Sequence, residues 1–91
     1  MQLFFVDCEH GNDKFVFAQS TNHAAEIFVT WQVVNRAQMG GFTIQRVTIA
    51  SCAEPDATHL RHALKLELEG IGRYDVANGW IIDPVTDDAE K

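Results

Sequence analysis

Apolar positions along the chain recur first at a spacing of two residues and then at three to four, which predicts strands followed by helices. Leu3-Phe4-Phe5-Val6 is apolar on both faces of a strand, and such strands lie inside a sheet or beneath a covering element. The turn residues His10-Gly11-Asn12-Asp13 separate it from a second apolar run, since Gly and Asn tolerate positive φ. These segments predict a β-hairpin with strands near residues 2–9 and 14–19.

The longest helical pattern follows Ser20-Thr21-Asn22, three residues whose side chains are suited to cap a helix N-terminus. It predicts a helix over about residues 22–39, with Gly40-Gly41 as its C-terminal stop. The buried stripe is marked by apolar residues at three- and four-residue spacing: Ala24, Ile27, Phe28, Trp31 and Val34, widened by Val29 and Val33.

The second half of the chain repeats this alternation. A strand near residues 43–50 contains a phase slip that predicts either a β-bulge or a late start at Arg46. Pro55 suits the first turn of a second helix over about residues 55–69. Asn78-Gly79 is a strong hairpin signal between strands near residues 73–77 and 80–83.

The predicted order ββαβαββ favours a small two-layer sandwich of the α/β or α+β class, a mixed sheet with both helices on one face, since strand–helix–strand crossovers are right-handed. Residues 1–85 are predicted to form one domain and residues 86–91 a short acidic tail. The predicted core is Phe4, Val6, Phe15, Phe17, Ile27, Phe28, Trp31, Val34, Val47, Ile49, Leu60, Leu64 and Leu68.

Composition narrows the class of protein. The chain has 91 residues, a formal charge of −6 and 46% hydrophobic residues, which favours a folded domain with a negative surface over a disordered acidic chain. Such a surface favours a basic protein partner and disfavours direct binding to nucleic acid or an anionic membrane. The N-terminus lacks the basic stretch and long apolar core of a signal peptide, which predicts a cytoplasmic protein with reduced cysteines.

No motif in the chain is typical of a catalytic or cofactor site. The Cys and His residues that could bind zinc do not have the spacing of a zinc finger, and Cys8 is in phase with Phe4 and Val6. A thiol nucleophile at Cys52 lacks the pattern of a catalytic triad. We therefore expect no enzyme activity, no metal and no cofactor. The zinc candidates are Cys8, His10, Cys52, His59 and His62.

Three hypotheses for function remain. The first is a non-catalytic interaction or regulatory protein that binds a basic protein partner, and its narrower form is a DNA-mimic inhibitor of a nucleic-acid-binding bacterial complex, as anti-CRISPR proteins are. The second is a small metal or thiol protein built on the Cys and His residues. The third is a structural subunit whose apolar sheet face pairs with a second copy to form a homodimer. The candidate partner-binding residues are Asp7, Glu9, Trp80, Asp83, Asp87 and Asp88.

Overall fold

The computed structural model describes residues 1–9, 11, 13–37, 40–51, 56–75 and 77–85. It confirms the order ββαβαββ and a small α+β sandwich of five strands and two helices. The predicted acidic tail lies outside the described residues. The elements are β1 (Gln2–Cys8), β2 (Lys14–Ala18), α1 (Thr21–Val34), β3 (Phe42–Val47), α2 (Asp56–Lys65), β4 (Gly70–Asp75) and β5 (Gly79–Asp83).

The sheet is antiparallel throughout, with strand order β3-β1-β2-β4-β5. The prediction of a mixed sheet is therefore wrong. The strands that α1 connects, β2 and β3, do run parallel, but β1 lies between them and pairs with both. The strands that α2 connects run antiparallel, so the handedness rule for parallel crossovers does not apply to that connection.

The helices lie on opposite faces of the sheet, which corrects the prediction that both cover one face in two layers. Phe4 and Val6 of β1 pack with Phe28 of α1. The alternate residue Leu3 packs with Leu60 of α2. Because β1 and β2 are apolar on both faces, each face requires a cover, and the sheet lies between the helices as the middle of three layers.

Helix α1 begins as predicted and ends earlier. The Ser20 hydroxyl accepts a hydrogen bond from the His23 amide at 3.1 Å, as an N-cap does. The helix ends at Val34 and not near residue 39, because Asn35 caps it and Arg36 has a φ of +52°. Val34 is 50% exposed in this last turn, so its place in the predicted core is wrong.

Helix α2 also ends earlier than predicted, at Lys65. Glu67 has a φ of +53°, which turns the chain away from the helix axis. Leu68 is therefore out of phase with the inner face of α2 and is 51% exposed, so this core prediction is also wrong. Strand β4 begins at Gly70, three residues before the predicted start near residue 73.

Strand β3 contains no bulge. Its register with β1 is continuous from Phe42, opposite Cys8, to Val47, opposite Leu3. Phe42 and Ile44 pack on the α1 side, whereas Val47 packs on the α2 side. The phase slip in the sequence therefore reflects burial on opposite faces at the two ends of one regular strand.

The core also contains one polar residue that was not predicted, because Gln32 is only 1% exposed. Its Nε2 lies 4.0 Å from the Cys8 Sγ, and its Oε1 has no hydrogen-bond partner among the described residues. Of the predicted core, Phe4, Val6, Phe17, Ile27, Phe28 and Leu60 are buried, and Phe15, Trp31, Val47, Ile49 and Leu64 are partly buried.

The hairpin predicted from Asn78-Gly79 is confirmed. Gly79 pairs with Asp75 and has a φ of +82°, a conformation that glycine adopts without strain. The Asp75 carboxylate accepts hydrogen bonds from the Ala77 amide at 2.8 Å and the Asn78 side chain at 3.1 Å. These bonds hold the pKa of Asp75 below its usual range. Within the described residues, neither helix has the length and apolar run needed to cross a membrane.

Candidate functional site

The predicted partner-binding acids lie on different faces of the sheet. Asp7 and Glu9 are exposed and border an open groove of about 440 Å³ beside Phe42. Asp7 alternates with Val6 and Cys8, which face α1, so its side chain lies on the α2 side. Asp83 pairs in register with Ile71, which faces α1, so the Asp83 side chain lies on the α1 side.

Asp83 is exposed and 3.8 Å from Arg73. It lies on the edge strand β5, away from Asp7, on the opposite face of the sheet. The structure therefore does not bring Asp7, Glu9 and Asp83 into one acidic row. Asp87 and Asp88 lie outside the described residues.

Trp80 is half-buried at the centre of an aromatic cluster on the α2 side. Its ring centroid lies 5.2 Å from that of Phe15, 5.3 Å from Phe17 and 5.3 Å from Tyr74. The first two contacts are edge-to-face, a favourable geometry for aromatic pairs. Gly72 makes this cluster possible, because a Cβ at that position would lie 2.7 Å from the Phe17 ring.

Beside this cluster is a cleft of about 280 Å³, which we call the aromatic cleft. Its walls are apolar or aromatic, and its single charged group among the described lining residues is the Asp56 carboxylate at the start of α2. Helix α2 packs mainly against β5 and the 3₁₀ turn Ile49–Ser51, which leaves this part of the sheet face accessible. The described lining residues are Leu3, Phe15, Val47, Asp56, Tyr74 and Trp80.

A chain of hydrogen bonds crosses one edge of the aromatic cleft. The Tyr74 hydroxyl donates to the Asp56 Oδ1 at 2.7 Å, and the His59 Nδ1 lies 2.8 Å from the same hydroxyl oxygen. Because the phenol has one proton and Asp56 accepts it, His59 donates through Nδ1. The hydrogen bond to Asp56 is the main factor that raises the pKa of Tyr74 to about 12.

These hydrogen bonds tie the first turns of α2 to β4 and hold the Tyr74 ring at the cleft wall. A second cleft of about 240 Å³ lies between His59, His62 and Trp80.

The candidate metal ligands are separated by the sheet. Cys8 is buried on the α1 side, whereas His59 and His62 belong to α2 on the other side. His10 and Cys52 lie outside the described residues. In the part of the chain that the structure describes, no three His, Cys, Asp or Glu side chains are placed to hold one metal ion.

His23 lies in the first turn of α1. Its Nδ1 contacts the Glu69 carboxylate, and the same carboxylate oxygen accepts a hydrogen bond from the Gln19 amide at 3.1 Å. These contacts connect the N-terminus of α1 to the residue before β4. Their placement supports a structural role for His23.

Trp80 was a candidate from the sequence and His59 was a candidate as a metal ligand, whereas Asp56 and Tyr74 were not predicted to belong to a site. One signal was present: Tyr74 and Trp80 flank the Asn-Gly turn at positions that can pair across a hairpin. The contribution of Asp56 and His59 depends on how α2 docks against β4, which no local pattern encodes. Comparisons of the chain with protein-family models, curated proteins and solved structures gave no match.

Proposed function

We propose that this chain is a non-catalytic interaction protein that binds a basic protein partner and takes one cationic side chain of that partner into the aromatic cleft. The observation that carries the proposal is the chemistry of the cleft: aromatic and aliphatic walls with the Asp56 carboxylate as their charged group among the described residues. A guanidinium or ammonium group suits this combination, since aromatic faces attract cations and a carboxylate pairs with them.

The other face of the same sheet provides an internal example of this contact. The Lys14 Nζ lies 4.6 Å from the centre of the Trp31 ring. Stacking of Trp31 on Phe28, with centroids 5.9 Å apart, holds the ring in place. On the α2 side, Trp80 and Tyr74 are held similarly by neighbouring rings, but no lysine or arginine is among the described residues that line the cleft.

The charge of the chain supports attraction of such a partner. The formal charge of −6 favours encounter with a basic surface and raises the association rate more than the final affinity. Asp7 lies on the same sheet face as the aromatic cleft, two residues beyond Phe5, whose ring is 5.1 Å from Phe15. We propose that Asp7 and Glu9 steer the partner towards the cleft and that Trp80 and Asp56 hold it.

The narrower proposal of a DNA-mimic inhibitor has less support. A mimic of the DNA backbone needs a regular row of negative charges, and the described candidate acids lie on two faces. A regulatory role and a cytoplasmic location remain parts of the proposal. The metal alternative is disfavoured by the separation of Cys8 from His59 and His62.

Tryptophan fluorescence tests the proposal directly. In a Trp31→Phe background Trp80 is the single tryptophan, since the chain has two. A short arginine–glycine peptide with blocked ends should change Trp80 emission in a saturable manner, whereas a glutamate–glycine peptide of equal length should not. Asp56→Asn should weaken binding roughly fivefold, equivalent to about 1 kcal/mol for a partly exposed ion pair.

Asp83→Asn is the matched control, because it removes the same charge from the opposite face. Its affinity for the arginine–glycine peptide should equal that of the background protein. An equal loss for Asp56→Asn and Asp83→Asn would mean that only total charge matters. No saturable change in Trp80 emission would exclude the cleft as the binding site.

A further inference from the structure

We infer that the outer face of α1 is a self-association surface on which a second copy of this chain packs as an antiparallel helix partner. The surface, called here the valine stripe, is formed by Asn22, Glu26, Val29 and Val33 of α1, at spacings of four and three residues, and by Arg36 just after the helix ends. The four helical positions share one side of α1, as at the seam of a coiled coil.

The valine stripe lies directly opposite the buried face of α1. Ala24, Ile27 and Phe28 contact the sheet, whereas Val29 is 37% exposed and Val33 is 56% exposed. β-branched residues are poor helix formers compared with alanine, by up to about 0.7 kcal/mol each. Two valines on an outward helix face thus weaken the helix slightly and contribute nothing to the core of their own chain.

Charge complementarity indicates a second copy as the occupant. Val29 and Val33 are equidistant from position 31, and so are Glu26 and Arg36. When two identical helices pack antiparallel about a two-fold axis at position 31, Val29 faces the partner's Val33 and Glu26 faces the partner's Arg36. A two-fold interface repeats each contact, so apolar pairs at the centre are flanked by ion pairs of opposite charge.

Both charged groups are available for such pairing. Glu26 and Arg36 are exposed, and neither forms an ion pair with a described residue of its own chain. Arg36 follows the helix in a left-handed conformation, with its amide bonded to the Val33 carbonyl at 3.2 Å. It therefore remains beside Val33 at the end of the stripe, where its long side chain can reach across an interface.

The position of the valine stripe has a consequence for the proposed function. Since α1 and the aromatic cleft lie on opposite faces of the sheet, pairing through α1 leaves both clefts of the dimer facing outward. If the cleft binds as proposed, such a dimer would engage two basic segments at once. The self-association itself does not depend on the cleft.

Sedimentation velocity over a concentration series tests the inference on the whole chain. A helix of 14 residues is about 21 Å long, so the contact is small. We expect a reversible dimer that dissociates on dilution, as small interfaces do. Val33→Lys should shift the dimerisation Kd at least tenfold. Leu66→Lys is the matched control, because Leu66 is 50% exposed and follows α2 on the other side of the sheet, and it should leave the Kd unchanged.

A charge exchange makes the test specific to the antiparallel register. Glu26→Arg and Arg36→Glu should each weaken the dimer several-fold, and the double variant should restore the wild-type Kd. Circular dichroism of each variant should match the wild type, since all these side chains are exposed. A monomer at every concentration, an equal effect of Leu66→Lys, or failure of the double variant to recover would overturn the inference. Peptide binding at the cleft is measured separately, so the two proposals fail independently.

Discussion

The two faces of the sheet are formed by the same strands but differ in how completely their side chains are buried. On the α1 side, Phe4, Val6, Val16 and Phe28 are no more than 1% exposed. On the α2 side, Leu3, Phe17 and Leu60 are equally buried, but Phe15, Tyr74 and Trp80 are only partly buried and line an open cleft. The shorter helix lies on this side, since α2 has 10 residues and α1 has 14.

If the cleft binds a partner as proposed, this contrast separates stability from recognition. The core on the α1 side excludes water from aliphatic and aromatic side chains, and such burial is the dominant favourable contribution to folding. The α2 side leaves aromatic surface and the Asp56 carboxylate accessible at the cleft. The rings of this half-covered cluster pack on one another, and we propose that their remaining surface binds the partner.

The largest loss of stability is expected from removing a buried side chain on the α1 side of the sheet. Phe28→Ala should destabilise the domain by roughly 3–5 kcal/mol, because the ring is fully buried and a cavity would remain. Urea denaturation followed by circular dichroism measures this loss. Val33→Ala, at an exposed position of the same helix, should change the free energy of unfolding by no more than about 0.7 kcal/mol, the difference in helix propensity. Similar losses for both variants would contradict the assignment of a buried and an outer face to α1.

An intermediate loss of stability is expected from adding a methyl group beside the aromatic cluster on the α2 side. Gly72→Ala would place a Cβ 2.7 Å from Phe17 and 3.3 Å from Trp80. Because Phe17 is fully buried and has little room to move, we expect a cost of about 1–3 kcal/mol. The emission of Trp80 should shift as its ring is displaced.

Gly41→Ala is the control for this substitution. A Cβ there would lie 3.5 Å from the Glu9 carboxylate, an ordinary contact. Its stability should stay within about 0.5 kcal/mol of wild type. If Gly72→Ala were equally neutral, the rings around Gly72 would have room for a methyl group. The aromatic cluster could then not serve as a fixed wall of the cleft.

The smallest effect concerns the hydrogen bonds at the edge of the cleft. Tyr74 is the single tyrosine of the chain, so ultraviolet absorbance of phenolate reports its ionisation alone. Its pKa of about 12 lies above the ordinary value of 10.0. The stabilisation linked to this shift is therefore fully present below pH 10.0 and is lost as the pH rises through about 12.

Asp56→Asn should lower the pKa of Tyr74 towards 10.0, because the hydrogen bond to the carboxylate and its negative charge are both lost. Asp83→Asn, on the other face, should leave the alkaline titration unchanged. A Tyr74 titration that is the same in wild type and Asp56→Asn would show that the two side chains do not interact in solution. The position of Asp56 in the cleft would then need revision.

Several features of the fold were predictable because they depend on neighbours along the chain. The Ser20 cap, the outline of both helices and the Asn78-Gly79 hairpin all arise from local backbone preferences, and the structure confirms them. Trp80 was recognised as a candidate since its type and its position after the turn are visible in the sequence. The early ends of α1 and α2 were missed because Arg36 and Glu67 adopt a left-handed φ that neither residue type signals.

The sequence by itself determined the elements, their order and the two-sided apolar character of β1 and β2. Tertiary structure alone decided that the helices lie on opposite faces, that the acids Asp7 and Asp83 are separated, and that Asp56, Tyr74 and His59 meet. The physical reason is that periodicity specifies which side of a strand is buried. It does not specify which helix covers that side, and this choice depends on contacts between residues distant in the chain.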